Sequence, residues 1–203
     1  MHEETLAKPT LKLFEKLAQN LWVSDFYLAG GTALALRLGH RVSVDLDFFS
    51  ENDFNEAAFV DKLVPIGDLK VLQKSPQSVI GSMDGVKFSF LGYKYPILQS
   101  GIKWKGITIA SVEDIACMKL DALSSRGTKR DFIDLYFIAK QIPLPTVVKL
   151  FETKFAKIKY NMLHIKKSLV YFDDAEGDPM PNMLVPIKWS EVKEYFIKQG
   201  TAL

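Results

Sequence analysis

The sequence has little of what marks secreted, membrane-spanning or strongly basic proteins. Of 203 residues one is cysteine, so no disulfide can form within the chain, and Cys117 itself lies among apolar residues and is expected in the core. No apolar run approaches the roughly twenty residues of a membrane span, and the N-terminal segment lacks a signal peptide's apolar centre. The net charge is only +2, so the chain has no general excess of basic residues. These absences predict a soluble, cytoplasmic protein with no membrane association.

The hydrophobic pattern predicts one compact unit with a mixed α/β half followed by a helical half. Hydrophobic residues make up 48% of the chain, enough for one substantial core, and no repeat divides it. Residues 1–110 alternate helix and strand signals, with a hairpin signal at Asp84-Gly85. Residues 111–203 begin with a capping box of Ser111 and Asp114. The helices expected there cover 112–124, 130–140, 145–155, 163–171 and 190–198.

Two acids alternate with apolar residues at 41–49. If this segment is one strand, the apolar residues from Val42 to Phe48 lie on one face, and Asp45 and Asp47 lie side by side on the other. Mg²⁺ takes one or two carboxylates and completes its shell with waters and substrate phosphates, so this pair suits such an ion. The alternative is a half-exposed strand whose acids are simply solvated.

A glycine pair lies shortly before these acids. Residues 26–29 indicate a short apolar strand and residues 32–38 a helix, so Gly30 and Gly31 fall at the junction. Glycine permits a positive φ and has no Cβ to keep a phosphate from the backbone. The free N–H groups of a helix's first turn, including that of Thr32, attract an anion. An ordinary strand-to-helix turn uses glycine for the same reason, but the closeness of the two acids favours a phosphate site.

At this point the chain resembles a known family. The glycine pair, thirteen further residues and then Asp-Leu-Asp-Phe resemble the nucleotidyltransferase signature shared by DNA polymerase β and kanamycin nucleotidyltransferase. The longer run at 30–49 (GGTALALRLGHRVSVDLDFF) is more similar still to the AbiEii/AbiGii toxin family. Residues 119–135 (KLDALSSRGTKRDFIDL) are similar to that family's second conserved block, and residues 171–189 fit its tail. The resemblance therefore covers nearly the whole chain.

The resemblance implies an enzyme as well as a fold. It implies a nucleotidyltransferase-like mixed β-sheet flanked by helices, and transfer of an NMP from an NTP to an acceptor hydroxyl. Asp45 and Asp47 would hold Mg²⁺ or Mn²⁺, and Gly30, Gly31 and Thr32 would cradle the phosphates. The family also implies a phage-defence toxin that is paired with an antitoxin. Its acceptor would be a tRNA end or a protein hydroxyl.

The second conserved block supplies a lysine and an aspartate to the implied site. Lys119 shares a helical stripe with apolar residues, and spacing alone favours a side chain that extends into solvent. The resemblance favours a functional lysine instead, whose ammonium holds triphosphate oxygens. Asp131 and Asp134 lie three residues apart on one face of the next helix. The resemblance favours Asp131 as the functional acid and leaves Asp134 to orient Arg126 or the neighbouring helix.

Other polar positions leave alternatives open. Arg41 reaches a phosphate, pairs with Asp45 or is a surface charge. Ser89 stands where many polymerase-β-like transferases carry a third strand carboxylate, so the general base is open, with Asp131 as the candidate substitute. The missing acid also motivates a second function, a catalytically degenerate module that holds nucleotide or RNA or acts through a partner. The acids at 173–178 lack calcium-loop spacing and are expected to form a solvated loop.

Overall fold

The computed structural model describes residues 1–200, which form two compact units. Unit 1 contains Met1–Pro96 and Ser100–Ala110. Unit 2 contains Ile97–Gln99 and the described residues from Ser111 onward. Within residues 1–200, no helix is both long enough and apolar enough to cross a membrane.

Unit 1 is built on a seven-stranded mixed sheet flanked by helices. Its strands are β1 (Tyr27–Ala29), β2 (Leu46–Ser50), β3 (Leu69–Ser75), β4 (Ser78–Met83), β5 (Val86–Gly92), β6 (Ile102–Trp104) and β7 (Ile107–Ile109), and its α-helices are α1 (Lys8–Ala18), α2 (Gly30–Leu38) and α3 (Glu56–Leu63). The strand order is β3-β4-β5-β2-β1-β7-β6. β2 is parallel to β5 and β1 to β7, whereas the other neighbours are antiparallel. The predicted α/β class with a mixed sheet is confirmed.

One face of the central strands carries the aromatic core. Phe48 of β2 and Phe90 of β5 are fully buried and stacked, with ring centroids 4.7 Å apart and planes inclined by 7°. Phe59 of α3 meets Phe90 edge-on at 4.7 Å. Because side chains alternate along a strand, burial of these rings places Asp47 and Ser89 on the opposite face of the sheet.

The strand predicted at 41–49 is shorter than expected. β2 begins only at Leu46, and the residues before it make no ladder, only isolated bridges at Arg41 and Ser43. Their burial reverses the predicted alternation, since Ser43 is buried and Val44 is 49% exposed. The physical reason is that bonds from other segments hold this stretch. Thr10, for example, donates from its hydroxyl to the Val44 carbonyl at 2.9 Å.

Turn residues divide the outer sheet into hairpins. Asp84 and Gly85, with φ of 50° and 81°, connect β4 to β5 as the sequence predicts. Lys105 and Gly106, with φ of 45° and 88°, form a similar turn, so the single strand expected at 104–110 is a hairpin of β6 and β7. Positive φ at both turn positions matches the twist of paired strands. Lysine is not typical of the first position of such a turn, so the sequence did not predict the turn at Lys105.

Unit 2 is helical. Its helices are α4 (Val112–Ser125), α5 (Lys129–Ala139), α6 (Leu144–Lys154), α7 (Met162–Ser168), α8 (Asp173–Glu176) and α9 (Trp189–Gly200). The predicted capping box begins α4, where the Ser111 hydroxyl accepts from the Asp114 N–H at 3.0 Å. Cys117 of α4 is fully buried, as expected, and burial raises its pKa to about 12. It is a core residue with an unreactive thiol at neutral pH.

A buried ion pair links α4 to α6. Lys154 Nζ lies 2.6 Å from Asp114 Oδ1, and both side chains are almost fully buried. The Asp114 carboxylate also accepts from the backbone N–H groups of Leu98 and Gln99 at 3.1 Å and from the Ser111 hydroxyl at 2.7 Å. Burial opposes its ionisation, but Lys154 and these donors outweigh burial and lower the pKa of Asp114 below its ordinary value of 3.8. The carboxylate is therefore charged at neutral pH.

Replacing this lysine tests how far the pair stabilises the fold. In Lys154→Met, Asp114 loses its buried counter-charge, so we expect the free energy of unfolding at pH 7 to fall by about 3–5 kcal/mol. Because the pKa of Asp114 is lowered in the folded state, its carboxylate stabilises the fold at pH values above its unfolded pKa. This stabilisation is lost as the pH falls through the lowered folded-state pKa. The difference between wild type and variant should therefore shrink below about pH 4.

Urea denaturation at several pH values measures both effects. Lys149→Met, at an exposed position of the same helix, is the matched control and should change stability by less than about 0.5 kcal/mol. Equal losses in the two variants would contradict the role assigned to Lys154.

Candidate active site

The glycine pair forms the start of α2. This helix begins at Gly30, directly after β1, and Gly30 has φ of +66°, the left-handed conformation that the sequence predicts. The N-cap residue is Ala29, whose methyl group cannot cap the first turn. The N–H groups of a first turn have no acceptor within the helix, and the helix dipole adds positive potential there. This end of α2 therefore favours an anion.

Two charged side chains of unit 1 occupy the space that a Cβ would need at the glycines. A Cβ on Gly30 would lie 2.9 Å from Asp47 Oδ2, and a Cβ on Gly31 would overlap Nη2 of Arg41. From the sequence, this space was expected to admit a phosphate. In the structure it is filled by the Asp47 carboxylate and the Arg41 guanidinium. The positive φ favours glycine at position 30, and at either position an added Cβ would force the end of a charged side chain to move.

Asp47 is held from two sides. In the sheet register it lies opposite Ala29 of β1 and Ser89 of β5, and Ser89 Oγ donates to Asp47 Oδ1 at 2.6 Å. Ser89 therefore faces the acid, as expected for the position where other transferases carry a third carboxylate. The second oxygen, Oδ2, lies against Gly30. A carboxylate in this place is stabilised by the positive end of the helix dipole.

Thr32 fixes the backbone around the other acid. Its hydroxyl is fully buried, donates to the carbonyl of Asp45 and lies 2.8 Å from Ser43 Oγ. A hydroxyl has one hydrogen to donate, so only the backbone N–H of Thr32 can serve an anion as donor. Asp45 is half-buried and lies just before β2 rather than within it.

Arg41 is 3% exposed, which excludes the surface-charge alternative. Its Nη1 donates to the Val42 carbonyl at 3.1 Å, and its Nη2 lies against Gly31. A guanidinium beside the positive end of a helix concentrates positive potential, which a bound anion would neutralise. The position of Arg41 thus suits contact with a phosphate.

Asp45 and Asp47 carry the type of group that binds a hard divalent cation. Among residues 1–200, no group of three or more His, Cys, Asp or Glu side chains is placed to hold a metal ion. Asp45 and Asp47 supply carboxylate oxygens only, which is the donor type that Mg²⁺ prefers. Because Mg²⁺ accepts one or two carboxylates when waters and phosphates complete its shell, the donor set is compatible with the implied ion.

Unit 2 holds a second polar cluster, formed by α4 and α5. Lys119 is 8% exposed, and its Nζ lies 2.8 Å from Asp131 Oδ1 and 2.6 Å from Asp134 Oδ2. The stripe that contains Lys119 faces α5, which corrects the expectation from spacing that its side chain extends into solvent. Two roles were expected for Asp134, orienting Arg126 or the neighbouring helix, and the contact favours the second, since fully buried Asp134 bonds to Lys119 of α4. The spacing of three between the acids is the signal that both face one partner.

Asp131 is a stabilised carboxylate. Thr128, the N-cap of α5, donates from its hydroxyl to Asp131 Oδ2 at 2.6 Å. Burial pushes the pKa of Asp131 upward, but the charge and hydrogen bond of Lys119 and the Thr128 hydroxyl outweigh it and lower that pKa. A carboxylate with a lowered pKa is a weak base. In this arrangement Asp131 is better suited to hold the lysine than to take a proton.

The acidic segment before α9 is ordered by α5. Asp178 Oδ2 accepts from the Lys129 backbone N–H at 3.0 Å, and Lys129 Nζ donates to the carbonyls of Glu176 and Asp178. The expectation of a solvated loop at 173–178 is correct for the exposed acids Asp173, Asp174 and Glu176, but residues 173–176 form α8 and Asp178 is bonded to Lys129. These bonds hold the N-terminal turn of α5, which carries Asp131.

Comparison with known proteins gives these features a context. The family model for "Nucleotidyl transferase AbiEii toxin, Type IV TA system" matches residues 12–103 and 97–201. The chain belongs to this family of nucleotidyltransferase toxins. It is also 39% identical over 197 residues to an uncharacterized protein of Aquifex aeolicus (strain VF5), with 94% of each chain covered.

Solved structures share the fold. MenT4, a nucleotidyltransferase toxin of Mycobacterium tuberculosis H37Rv, matches 95% of this chain and 81% of its own, with a TM-score of 0.62 and 18% identity. JHP933 of Helicobacter pylori matches 97% of this chain and 92% of its own, with a TM-score of 0.57 and 22% identity. At these identities the likeness establishes the nucleotidyltransferase-like architecture.

Gly30→Ala and Gly85→Ala separate backbone strain from the contact with Asp47. Both glycines have positive φ, 66° and 81°, but an added Cβ meets Asp47 only at Gly30 and meets nothing within 4 Å at Gly85. We expect each variant to lose about 1–2 kcal/mol in its free energy of unfolding by urea denaturation. Gly30→Ala should also lower nucleotide transfer by roughly 100-fold, because it displaces the carboxylate. Equal transfer by the two variants would show that the contact is unimportant.

Proposed function

We propose that this protein transfers a nucleoside monophosphate from an NTP to an acceptor hydroxyl and releases pyrophosphate. The observation that carries the proposal is the Asp47 carboxylate, which Ser89 holds against Gly30 at the start of α2. This contact puts an acid suited to a cation beside a helix end suited to a phosphate, a combination on which phosphoryl transfer relies. Membership of a nucleotidyltransferase family supports it.

The triphosphate would bind at the first turn of α2. The backbone N–H groups of Gly30, Gly31 and Thr32 supply donors, and the buried guanidinium of Arg41 supplies a full positive charge beside them. This charge is held in place before the substrate arrives. A preorganised donor set stabilises developing negative charge without a reorganisation cost during the reaction.

Asp45 and Asp47 would hold Mg²⁺ or Mn²⁺ together with triphosphate oxygens. When bound, the ion supplies charge neutralisation and alignment of the attacking and leaving oxygens. Ser89 fixes one carboxylate oxygen of Asp47, and Thr32 fixes the backbone carbonyl of Asp45. These two bonds reduce the freedom that the acids would lose on binding.

We assign Lys119 to the triphosphate on the strength of the family resemblance. Asp131 and Asp134 hold its ammonium at 2.8 and 2.6 Å, and we assign both acids to positioning that ammonium. The lowered pKa of Asp131 argues against proton abstraction by this carboxylate. Phosphoryl transfer depends mainly on positioning and electrostatics, so a strong protein base at position 89 or 131 is not a requirement.

The acceptor in this proposal is a tRNA end or a protein hydroxyl, and the protein is the toxin of a toxin–antitoxin pair. The family's description as a Type IV toxin–antitoxin system supports the pairing with an antitoxin. The description of MenT4 as a nucleotidyltransferase toxin agrees with it. A reaction between an NTP and either acceptor belongs in the cytoplasm.

Asp47→Asn tests the assignment. This change keeps the size of the side chain and an oxygen that can accept from Ser89, but it removes the negative charge. We expect transfer to fall by about 100- to 1000-fold with the fold intact, because a preorganised charge is lost. The measurement is incorporation of α-phosphate label from each NTP, with Mg²⁺, into total cellular RNA and protein.

Glu51→Gln is the matched control, since it removes an exposed acid one residue beyond β2. If Asp47→Asn labels its acceptor at the wild-type rate, the assignment of the acid to the cation is wrong.

One observation favours a second candidate function. Position 89, where many polymerase-β-like transferases carry a third carboxylate, holds serine. A degenerate module that binds nucleotide or RNA, or acts through a partner, is consistent with this. Wild-type protein that binds NTP but labels neither RNA nor protein with any NTP would support the module and refute the transferase.

A further inference from the structure

Unit 2 contains a cavity of about 470 Å³ that the proposed reaction does not use. One wall is the C-terminal end of α4, residues 123–127, and the other is α7 with the residues that follow it. His164 Nε2 donates to the Ser124 carbonyl at 2.9 Å and joins the two walls. The volume lies within the range of small-ligand sites, roughly 300–1,000 Å³.

The charges around this cavity are mainly positive. The cations Arg126 and Lys167 line it, and Asp174 is the one acid among its lining residues. The segment 154–167, which leads into the wall, contains five lysines and one histidine but no acid, whereas the rest of the chain has 21 Lys and Arg against 24 Asp and Glu. Lys154 is buried with Asp114, so four of these lysines contribute to the surface. Such a local excess attracts an anion even though the whole chain is nearly neutral.

The serines of the cavity act as acceptors. The hydroxyls of Ser124, Ser125 and Ser168 donate to helix carbonyls at 2.7, 3.1 and 2.8 Å. Each hydroxyl has one hydrogen, so each offers only lone pairs to a ligand. A ligand that fits must therefore bring N–H or O–H donors to the serines and negative charge to Arg126 and Lys167.

Tyr171 supplies an aromatic face. Its side chain is 52% exposed and lines the cavity beside Val170, which is 40% exposed. An exposed ring next to an arginine and a lysine is the arrangement on which nucleobases stack while their phosphates are bound. An acidic peptide would use the two cations, and its backbone N–H groups would suit the serine acceptors, but it lacks a base to stack on the ring.

We propose that this cavity binds one ribonucleotide unit. The base stacks on Tyr171, the phosphate is held by the planar guanidinium of Arg126 and by Lys167, and base N–H or ribose O–H groups donate to the serines. The unit belongs either to an RNA chain or to a free mononucleotide, since both present this chemistry. If it belongs to RNA, the cavity anchors the acceptor, and that role rests on the proposed function, whereas binding itself does not.

Equilibrium binding to the full-length protein tests the site. The probes are a fluorescent single-stranded RNA of about ten nucleotides, followed by anisotropy, and AMP, followed by calorimetry, both without NTP or Mg²⁺. We expect Tyr171→Ala to weaken binding about tenfold and Tyr171→Phe to retain it, because stacking needs the ring and not the hydroxyl. Arg126→Gln and Lys167→Gln should each weaken RNA binding severalfold and reduce the slope of log K against log salt by about 0.7.

Lys149→Gln is the control, since it removes one exposed lysine from α6 outside the cavity. Loss of RNA affinity in the cavity variants assigns the site to RNA, and loss of AMP affinity alone assigns it to a free nucleotide. Cavity variants that match Lys149→Gln with both probes overturn the proposal. Tyr171 and Arg126 are exposed, so these variants should keep the wild-type urea midpoint.

The outcome is independent of catalysis. Asp47→Asn should bind RNA like the wild type, because Asp47 is not among the residues that line the cavity. Failure of the wild type to label either RNA or protein would refute the proposed transferase, and the measured RNA and AMP affinities would still test the cavity.

Discussion

The close approach of the Asp47 carboxylate to the first turn of α2 sets the requirements for the rest of the site in unit 1. It needs a residue without a Cβ at position 30, in a left-handed conformation that other residues rarely adopt. It needs β2 between β1 and β5, so that Ala29 and Ser89 lie on either side of the acid. It also balances charge, since the carboxylate and the buried Arg41 guanidinium meet the same helix end. The backbone conformation of Gly30 and the charges of Asp47 and Arg41 therefore depend on one another at the start of α2.

In unit 2 the buried charges that need partners are positive. Three of its lysines are buried, and each has found oxygen acceptors: Lys119 two carboxylates, Lys154 one carboxylate and Lys129 two backbone carbonyls. A buried ammonium without such partners would cost several kcal/mol. The helix α4 carries both Asp114 and Lys119, so the same element contains the buried pair with Lys154 and the lysine that we propose binds the triphosphate. Both positions depend on the same kind of contact, a buried ammonium held by carboxylate.

The distribution of charge matters more here than its sum. A net charge of +2 argues against a general nucleic-acid binder, yet residues 154–167 concentrate lysines beside a cavity with an exposed tyrosine. Arg41 at the start of α2 is buried, whereas Arg126 and Lys167 at the cavity are exposed. Buried charges suit a fixed contact with one substrate group, and exposed charges suit a salt-dependent contact with a flexible chain. The two regions are therefore suited to different parts of a reaction between a nucleotide and a macromolecule.

Short-range patterns in the sequence were enough to predict several local features. The positive φ at Gly30, the Asp84-Gly85 hairpin and the Ser111 cap follow from backbone sterics and short-range hydrogen bonds, and the pattern of residues also carried the family. Tertiary structure decided whatever depends on distant partners. Val44 is exposed because Thr10 and other distant groups hold its segment. The space beside Gly30 and Gly31 is filled by Asp47 and Arg41. Asp134 pairs with Lys119. The hydrophobic periodicity of a segment predicts its local secondary structure. It cannot show which charged group from a distant part of the chain will occupy a given space.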